Sequence, residues 1–358
     1  MKKRTGGLLV GCLAIVLFTA ILCGGCVGDK TSAQGSGSAA GDLPSAQKDI
    51  YAMDTYMSVT AYGKQAGQAV SDAEAEIDRL DQLLSATRTD SEIAMANAGN
   101  TVKLSEDTIT ILKRAKELNI QTNGMFDITL YPLLCEWGFP TQEYQIPSDK
   151  KLRKLKKTTG WDKVTIHTKK KTKTLELQEG TEIDLGGIAK GYLADQLKEI
   201  MEKDGISSAL ISLGSSTIQL IGSKPDGSDW NVAVQDPTDT TNYLGVLHVS
   251  DCVVDTSGNY ERWFEQDGRR YWHILNPKTG KPSRSGLSSV TIVGEDGMTG
   301  DALSTALFVM GLEDASEYWR SHSNDFEAIF VEDDGTISIT AGLQECFTSD
   351  YDYNVISE

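Results

Sequence analysis

Hydrophobic residues recur along the chain at two different spacings, which separate predicted helices from predicted strands. In AVSDAEAEIDRLDQLLSA the apolar residues recur every three or four positions and acidic residues cover the other face, a pattern typical of an amphipathic helix. SEDTITILKRAKELNIQTNG predicts a second helix, with Ser105 as its N-cap and Asn123-Gly124 as its stop. IAKGYLADQLKEIM and TGDALSTALFVMG predict two further helices.

Alternating or continuously apolar runs predict strands. IYAMDTYMSVTAYG is predicted as a strand with Met53 near its start, and order is expected to begin near Ile50. SALISLGSSTIQLIG predicts two buried strands, and DFEAIFVEDDGTISIT predicts a late hairpin that turns at Asp334-Gly335. Because strands and helices do not alternate as βαβ units, the pattern favours an α+β fold over a doubly wound sheet. Other strands or hairpins are predicted in HTKKKTKTLEL, DWNVAVQDP, LGVLHVSDCVVDTSG, YERWFEQDGRRYWHIL and LSSVTIVGED.

The N-terminal segment is predicted to lie outside the fold. Basic MKKRTGG, the apolar run LLVGCLAIVLFTAILC and then GGC follow the order of a signal peptide. The residues before Cys26 resemble a lipobox, and the polar VGDKTSAQGSGSAAGD that follows is typical of a flexible tether. We therefore expect a lipoprotein signal peptide over residues 1–26, lipidation of Cys26, a tether over 27–46 and one catalytic domain over 47–358 outside the cytoplasm. An uncleaved anchor and a plain secretory signal are the alternatives.

Composition narrows the possible partners. The chain has 358 residues, 34 of them basic and 51 acidic, for a formal net charge of −17. Such a chain repels nucleic-acid phosphates, so we expect no nucleic-acid partner, and a polyanionic ligand would need a cation and a local positive group. Basic runs such as KKLRKLKK are interpreted as solvated faces. Outside the signal segment, Cys135, Cys252 and Cys346 are odd in number and lack CxxC spacing, which indicates neither a disulfide framework nor a zinc site.

The segment EIDLGGIAKGYLAD carries the first candidate chemistry. Its glycines are predicted to form a strand-to-helix turn, where they permit positive φ and let a ligand approach the backbone. A helix N-terminus suits phosphate, and Lys190 in the first turn would face the same anion. The helix dipole disfavours a lysine there, so a purely structural role is a poor explanation. Taken alone, however, most Gly-Gly turns are only turns.

The segment TGDALSTALFVMG carries a second candidate site. Asp301, Ser304 and Thr305 are spaced to share one face of a helix near its start. Carboxylate and hydroxyl oxygens are hard ligands that suit Mg²⁺ rather than Zn²⁺. The alternative is an N-cap aspartate followed by a serine and a threonine in the next turn.

Two further segments offer a base and a binding wall. In RRYWHILNPKTGKP, His273 stands beside aromatic residues just before a turn, where a general base can face a cleft, although a lone histidine is usually structural. In NGMFDITLYPLLCEWGF, apolar and aromatic residues around Asp127 suit either a wall for a flat ring or a core strand that enters a helix.

The motifs together, in order, resemble those of the ApbE family, the FAD:protein FMN transferases. The matching segments are MDTYMSV, LLSATRTDSEIAMAN, GMFDITLYPLL, IDLGGIAKGYLAD, VVDTSGNYERWF, HILNPKTG and DALSTALFVMG, between Met53 and about Gly311. The resemblance implies a single large, T-fold-related α+β domain of mostly antiparallel sheet with packed helices. It also implies export, often as a lipoprotein.

The resemblance implies an activity as well. Family members bind FAD with Mg²⁺, transfer its FMN half to a Thr or Ser hydroxyl of a partner protein and release AMP, so an acceptor protein of a membrane redox system is expected. Some members are instead FAD pyrophosphohydrolases that produce FMN and AMP. A third alternative is a flavin-binding lipoprotein without turnover.

Carried onto matching positions, the family's sites fall on specific residues of this chain. The implied metal ligands are Asp301, Ser304, Thr305 and the main-chain carbonyl of Gly187. The implied FAD contacts are Met53, Thr87, Met125, Phe126, Asp127, Asp184, Lys190 and Ile274. Lys190 and Asp301 would also act in catalysis, and our hypothesis is that His273 is the general base.

Three positions depart from the family pattern. Asp54 stands where Gly is common, Thr87 stands where an aromatic ring stacks on FAD, and SLGSST replaces a Gly-Gly-Asn or Gly-Gly-Asp after the same strand. None of these positions belongs to the implied metal set.

Overall fold

The computed structural model describes residues 43–357. The predicted signal peptide, Cys26 and most of the predicted tether lie outside the described residues. In the described part, the helices are α1 (Ala66–Leu84), α2 (Glu92–Asn97), α3 (Glu106–Gln121), α4 (Tyr131–Trp137), α5 (Asp149–Leu155), α6 (Ala189–Lys203), α7 (Gly297–Met310) and α8 (Leu312–Arg320). The strands are β1 (Ser45–Ala52), β2 (Thr55–Tyr62), β3 (Val102–Lys103), β4 (Val164–Lys169), β5 (Thr172–Leu177), β6 (Ser208–Leu213), β7 (Thr217–Ile221), β8 (Trp230–Gln235), β9 (Tyr243–Val249), β10 (Val253–Gly258), β11 (Trp263–Gln266), β12 (Arg269–Trp272), β13 (Leu275–Asn276), β14 (Lys281–Pro282), β15 (Leu287–Gly294), β16 (Phe326–Glu332), β17 (Ile337–Thr340), β18 (Phe347–Thr348) and β19 (Tyr353–Ile356).

Nine of these strands form the main sheet, in the order β1-β2-β6-β7-β10-β15-β16-β17-β19. Neighbouring strands are antiparallel except for the parallel pair β17 and β19. The other described strands form four small sheets. Two are three-stranded, β18-β9-β8 and β3-β5-β4, and two are two-stranded, β11-β12 and β13-β14. The predicted α+β architecture with a mostly antiparallel sheet is confirmed. Within residues 43–357, no helix has the length and apolar character that a membrane crossing requires.

Side-chain alternation assigns the two faces of the main sheet to different layers. Val253 of β10 packs into the core beneath the helices, whereas the next residue, Val254, packs against β8 and β9 on the other face. Because side chains on a strand alternate, Asp255 and Ser257 share the helix-facing side with Val253. Two polar residues therefore point from β10 toward α7.

Helices α6 and α7 cross at unusually close range. A Cβ atom on Gly191 of α6 would lie 2.0 Å from the carbonyl oxygen of Gly297, the first residue of α7. The crossing is fastened by Asp195, whose two carboxylate oxygens accept hydrogen bonds from the amides of Gly297 (2.8 Å) and Met298 (3.1 Å). A side chain of α6 thereby satisfies orphan amides at the start of α7.

We expect Gly191→Ala to lower the free energy of unfolding by about 1–3 kcal/mol, since the added methyl group forces the two helices apart. Chemical denaturation followed by circular dichroism measures this change. Gly67→Ala is the matched control, because Gly67 lies in α1 with no neighbouring atom within 4 Å of the added Cβ. That exposed substitution is expected to stabilise the protein by roughly 0.5–1 kcal/mol. Equal effects at both positions would show that the crossing tolerates a side chain.

The stretch predicted as one strand around Met53 is instead a hairpin. β1 starts at Ser45, earlier than expected, and pairs along its whole length with β2. The connecting turn consists of Met53 (φ 48°) and Asp54 (φ 61°). A two-residue hairpin turn favours positive φ, but Met-Asp lacks the Asn-Gly or Asp-Gly pair that usually marks it. The apparently continuous alternation concealed the turn.

The predicted strand that leads into the glycines before α6 is also absent. β5 ends at Leu177, and residues 181–185 form no strand. The Asn97 side chain bonds both main-chain groups of Ile183, each at 2.8 Å, in place of a neighbouring strand. Similarly, the segment after Phe126 forms a short 3-10 turn, Ile128–Leu130, and not a strand before α4.

Candidate functional site

Carboxylate and hydroxyl groups meet where β10 lies against α7. The Oγ of Ser257 is 2.8 Å from the Oγ of Ser304 and 3.1 Å from the Oγ1 of Thr305. Ser304 also donates to the main-chain carbonyl of Asp301 at 2.8 Å. Asp301 does not cap the helix, because Asp296 does so by accepting from the amide of Thr299. The structure thus excludes the alternative interpretation of Asp301 as an N-cap.

The glycine segment lies against the same cluster. A Cβ atom on Gly187 would be 3.7 Å from Thr305 Oγ1 and 3.4 Å from the ring of the buried Phe126. A turn does precede α6 here, but neither Gly186 nor Gly187 uses the positive φ that glycine permits. These glycines serve close approach, because a Cβ on Gly186 would also lie 3.0 Å from the carboxylate of Asp184.

Lys190 faces the cluster from the start of α6. Its Nζ is 3.6 Å from Asp301 Oδ1, and both side chains are largely buried. The amide of Gly191 donates to the other oxygen, Asp301 Oδ2, at 3.1 Å. Asp301 therefore joins the ends of α6 and α7 at the point where the helices cross.

A second carboxylate, Asp255, lies behind Asp301. Thr217 donates to its Oδ1 at 2.7 Å, while its buried Oδ2 has no hydrogen-bond partner. Oδ2 would be only 2.3 Å from a Cβ on Gly300. Burial, together with the negative charge of Asp301, raises the pKa of Asp255 well above its ordinary value. Lys190 is thus the cation that pairs with Asp301 and also favours the charged form of Asp255.

These oxygens fit Mg²⁺. No group of three or more His, Cys, Asp or Glu side chains forms a metal-binding cluster in the described part of the chain. A metal here would instead be held by Asp301 with hydroxyl and carbonyl oxygens, a hard donor set. The orphaned oxygen of Asp255 and the space left by Gly187 are consistent with a cation at this point.

His273 directly follows β12, the second strand of the β11-β12 hairpin. Its amide and its Nδ1 both lie near the carbonyl oxygen of Arg262, at 3.1 and 3.3 Å. If Nδ1 carries the proton for that contact, Nε2 keeps a free lone pair. Burial and the positive charges of Arg262 and Lys190 lower the pKa of His273 to about 3. The imidazole is therefore neutral at pH 7, the form that accepts a proton.

Arg262 and Lys190, the two cations that act on this histidine, also act on two carboxylates, Asp184 and Glu261. Burial raises the pKa of the Asp184 carboxyl, and a backbone hydrogen bond from Gly186 and the positive charge of Arg262 oppose that change. Burial also raises the pKa of Glu261 to about 7, against the opposing effects of Lys190 and Arg262. Arg262 reaches Asp54, with 3.8 Å between its Nη2 and Oδ2. The β1-β2 turn is thereby joined to the segment that carries His273.

The remaining residues predicted to contact FAD differ in how far they are buried. Met53 and Met125 are half-buried against the main core, and Ile274 is buried. Asp127 uses one oxygen to accept from the amide and hydroxyl of Thr129, at 2.9 and 2.7 Å. Thr87 is exposed, and its hydroxyl lies 3.1 Å from that of Ser85.

The sequence interpretation missed Ser257, Asp255, Glu261 and Arg262. All four lie in VVDTSGNYERWF, a segment quoted for the family resemblance without a role for any residue. The alternation of a strand would have placed Asp255 and Ser257 on one face. Nothing in the sequence indicates that this face meets α7.

Comparisons with known proteins identify relatives of this chain. The model of the ApbE family matches residues 53–330. The chain belongs to the ApbE family. An FAD:protein FMN transferase from Escherichia coli K12 is 33% identical over 264 residues, which cover 72% of this chain and 75% of that protein. Another, from Vibrio cholerae, is 34% identical over 286 residues, 76% of this chain and 84% of that protein.

The fold of this ApbE protein matches that of solved relatives. The crystal structure of the ApbE protein from Thermotoga maritima superposes with a TM-score of 0.78 at 29% identity and covers 85% of this chain and 99% of that one. The predicted family, its single-domain α+β fold and the predicted enzyme class, a transferase, are confirmed.

Proposed function

We propose that this protein is a Mg²⁺-dependent FAD:protein FMN transferase, which moves FMN from FAD to a Thr or Ser hydroxyl of an acceptor protein and releases AMP. Relatives with that transferase name support the substrate. The observation that carries the proposal is the meeting of two distant segments. Gly187 lies beside Thr305, with 3.7 Å from a Cβ position to Oγ1, and Lys190 lies 3.6 Å from Asp301.

Each part of the cluster has a role in this proposal. Asp301, Ser304, Thr305 and the Gly187 carbonyl would hold Mg²⁺, which when bound stabilises negative charge on pyrophosphate oxygens. Lys190, in the first turn of α6, would bind the same phosphate oxygens beside free helix amides. Asp184 and the half-buried Met125 would contact other parts of FAD.

The acceptor's hydroxyl oxygen would form a bond to the phosphorus of the FMN half. The bond between that phosphorus and the oxygen that bridges to AMP breaks, and AMP leaves with the bridging oxygen. Nε2 of His273 would accept the hydroxyl proton, because its other nitrogen faces the Arg262 carbonyl. The negative charge of a bound pyrophosphate raises the pKa of His273 from its low value and makes it a stronger base.

We also propose that the chain is exported and held at the cell membrane by a lipid on Cys26. The supporting observation is the order of basic, apolar and Gly-Gly-Cys segments, followed by a polar tether. The catalytic domain would then lie outside the cytoplasm, where an acceptor protein of a membrane redox system is accessible.

In the test, the full chain is incubated with FAD and with membranes from the cells that produce it. One sample contains Mg²⁺ and the other contains EDTA. AMP is measured by chromatography, and protein-bound flavin is measured by fluorescence in a denaturing gel. We expect Mg²⁺-dependent AMP release together with flavin on an acceptor protein that survives denaturation.

Two other results would contradict the proposal. Metal-dependent AMP and free FMN without any protein-bound flavin would identify a pyrophosphohydrolase. FAD binding with no AMP release under either condition would identify a flavin-binding lipoprotein.

A further inference from the structure

A basic lobe adjoins the candidate site. We define it as residues 131–157 and 261–284, which together hold twelve of the chain's 34 basic residues but only six of its 51 acidic residues. The lobe is therefore positive, whereas the remainder of the chain is strongly negative. The sequence interpretation of KKLRKLKK as a merely solvated face did not anticipate this asymmetry, because it arises from two segments that are distant in sequence.

The two segments form one unit around their own small core. Leu133, Trp137 and Leu152 from the first segment pack with Phe264 and Leu275 from the second. The indole of Trp137 donates to the carbonyl of Gly280 at 2.9 Å, and the ring of Tyr144 stacks on Phe264 with 4.9 Å between centroids. The positive charges of both segments are thus held on one body.

Most of the positive charge in the lobe is uncompensated. Within residues 43–357, only three of its twelve basic side chains, Lys151, Lys281 and Arg262, lie within 4.0 Å of a carboxylate. Arg270 and Arg284 lie over the rings of Trp263 and Trp272, at 4.2 and 4.5 Å from the ring centroids. These cation–π contacts hold the exposed guanidinium groups near the hairpin without neutralising them.

The lobe also carries the candidate base. His273 belongs to it, with its ring 6.3 Å from that of Phe139. His273 directly follows β12, so a hydroxyl that reaches it arrives beside the β11-β12 hairpin, on which Arg269 and Arg270 are exposed.

We propose that the basic lobe docks the acceptor protein by binding acidic residues that flank its acceptor hydroxyl. This inference rests on the proposed transferase function. An acidic segment is attracted to this positive lobe, whereas the remainder of the chain carries a net negative charge, so the charge pattern favours such a partner in one orientation. The lysines of the β4-β5 turn are a second basic run outside the lobe, which makes them a direct comparison for it.

The test uses synthetic peptides with one central Thr and flanks that are acidic, neutral or basic. Their binding to the full chain with FAD and Mg²⁺ is measured by fluorescence anisotropy, and FMN transfer is measured by mass spectrometry. We expect the acidic peptide to bind roughly tenfold more tightly than the neutral one at low salt, and this preference to fall as salt rises.

Charge-reversal variants separate an effect of the lobe on peptide binding from an effect of the chain's net charge. The double variant Arg269→Glu, Arg270→Glu is expected to lose the acidic preference. The matched control, Lys169→Glu with Lys170→Glu, changes the net charge equally at the exposed β4-β5 turn and is expected to keep it. FAD binding in the absence of peptide is expected to be unchanged in both variants, since none of these residues is placed in the site.

Three outcomes would overturn the inference. The first is equal binding of acidic and neutral peptides, and the second is an equal loss of acidic preference in both double variants. The third is that the lobe variant keeps its peptide binding but loses the preference for phosphatidylglycerol vesicles over phosphatidylcholine vesicles, which would identify a lipid surface. Failure of the proposed function is separate: no AMP or FMN transfer would be seen even in the unmodified chain, while the anisotropy result would still decide whether acidic segments bind the lobe.

Discussion

Asp301→Asn is expected to lower Mg²⁺-dependent FMN transfer by at least roughly 100-fold. Removing a residue that only hydrogen-bonds to a metal ligand already costs up to about 100-fold, so loss of a direct ligand should cost at least as much. Asparagine has the same shape, and its oxygen still accepts the bond from the Gly191 amide that Asp301 accepts now. What disappears is the negative charge that faces Lys190 and would bind the metal. Transfer rates over a Mg²⁺ titration, with the unfolding free energy, measure both consequences.

Asp296→Asn is the control for this variant. It removes a carboxylate from the same helix end, but asparagine still caps the Thr299 amide, so activity and stability are expected to remain near those of the unmodified chain. If Asp301→Asn transferred FMN at a rate within tenfold of the original at saturating Mg²⁺, the metal would have to bind elsewhere.

His273→Ala is expected to slow transfer by about 10²–10⁴-fold, the usual contribution of a general base. FAD binding should be retained, because the proposed phosphate contacts come from α6 and α7. Single-turnover transfer measures the chemical step, and flavin fluorescence titration measures binding. Partial recovery of the rate on addition of free imidazole would be a readout that a purely structural histidine would not give.

The control is His167→Ala. His167 lies on β4 and is exposed, with Nε2 2.7 Å from Glu176, so its loss should change neither rate nor binding. A near-normal transfer rate in His273→Ala with intact FAD binding would remove His273 from the mechanism.

Local signals in the sequence predicted local structure well. Ser105 does cap α3, by accepting from the Thr108 amide, and the helix ends before Asn123 and Gly124, both of which have positive φ. These features depend on neighbouring residues, so the sequence contains them. The two buried strands around Gly214 and the late hairpin at Gly335 follow for the same reason.

Features made by distant residues could not be predicted in this way. Ser257 meets Thr305 across 48 positions, and no local pattern records that contact. The Met53-Asp54 turn is another example, because both residues hold a positive φ without a glycine to favour it. The Asp54 carboxylate contacts two residues outside the turn, Tyr51 at 3.1 Å and Arg262 at 3.8 Å, and these contacts help to hold the conformation.

The close crossing of α6 and α7 has a consequence for turnover. Lys190 and Asp301 are each within a few residues of a glycine at the crossing, Gly191 and Gly297. Sliding one helix past the other would open the core, so we expect the charged pair to keep its spacing during the reaction. Adjustment to substrate entry and product exit is therefore expected at the rim, in the β1-β2 turn and the β11-β12 hairpin, and hydrogen exchange should be slow in the crossing helices and fast at the rim.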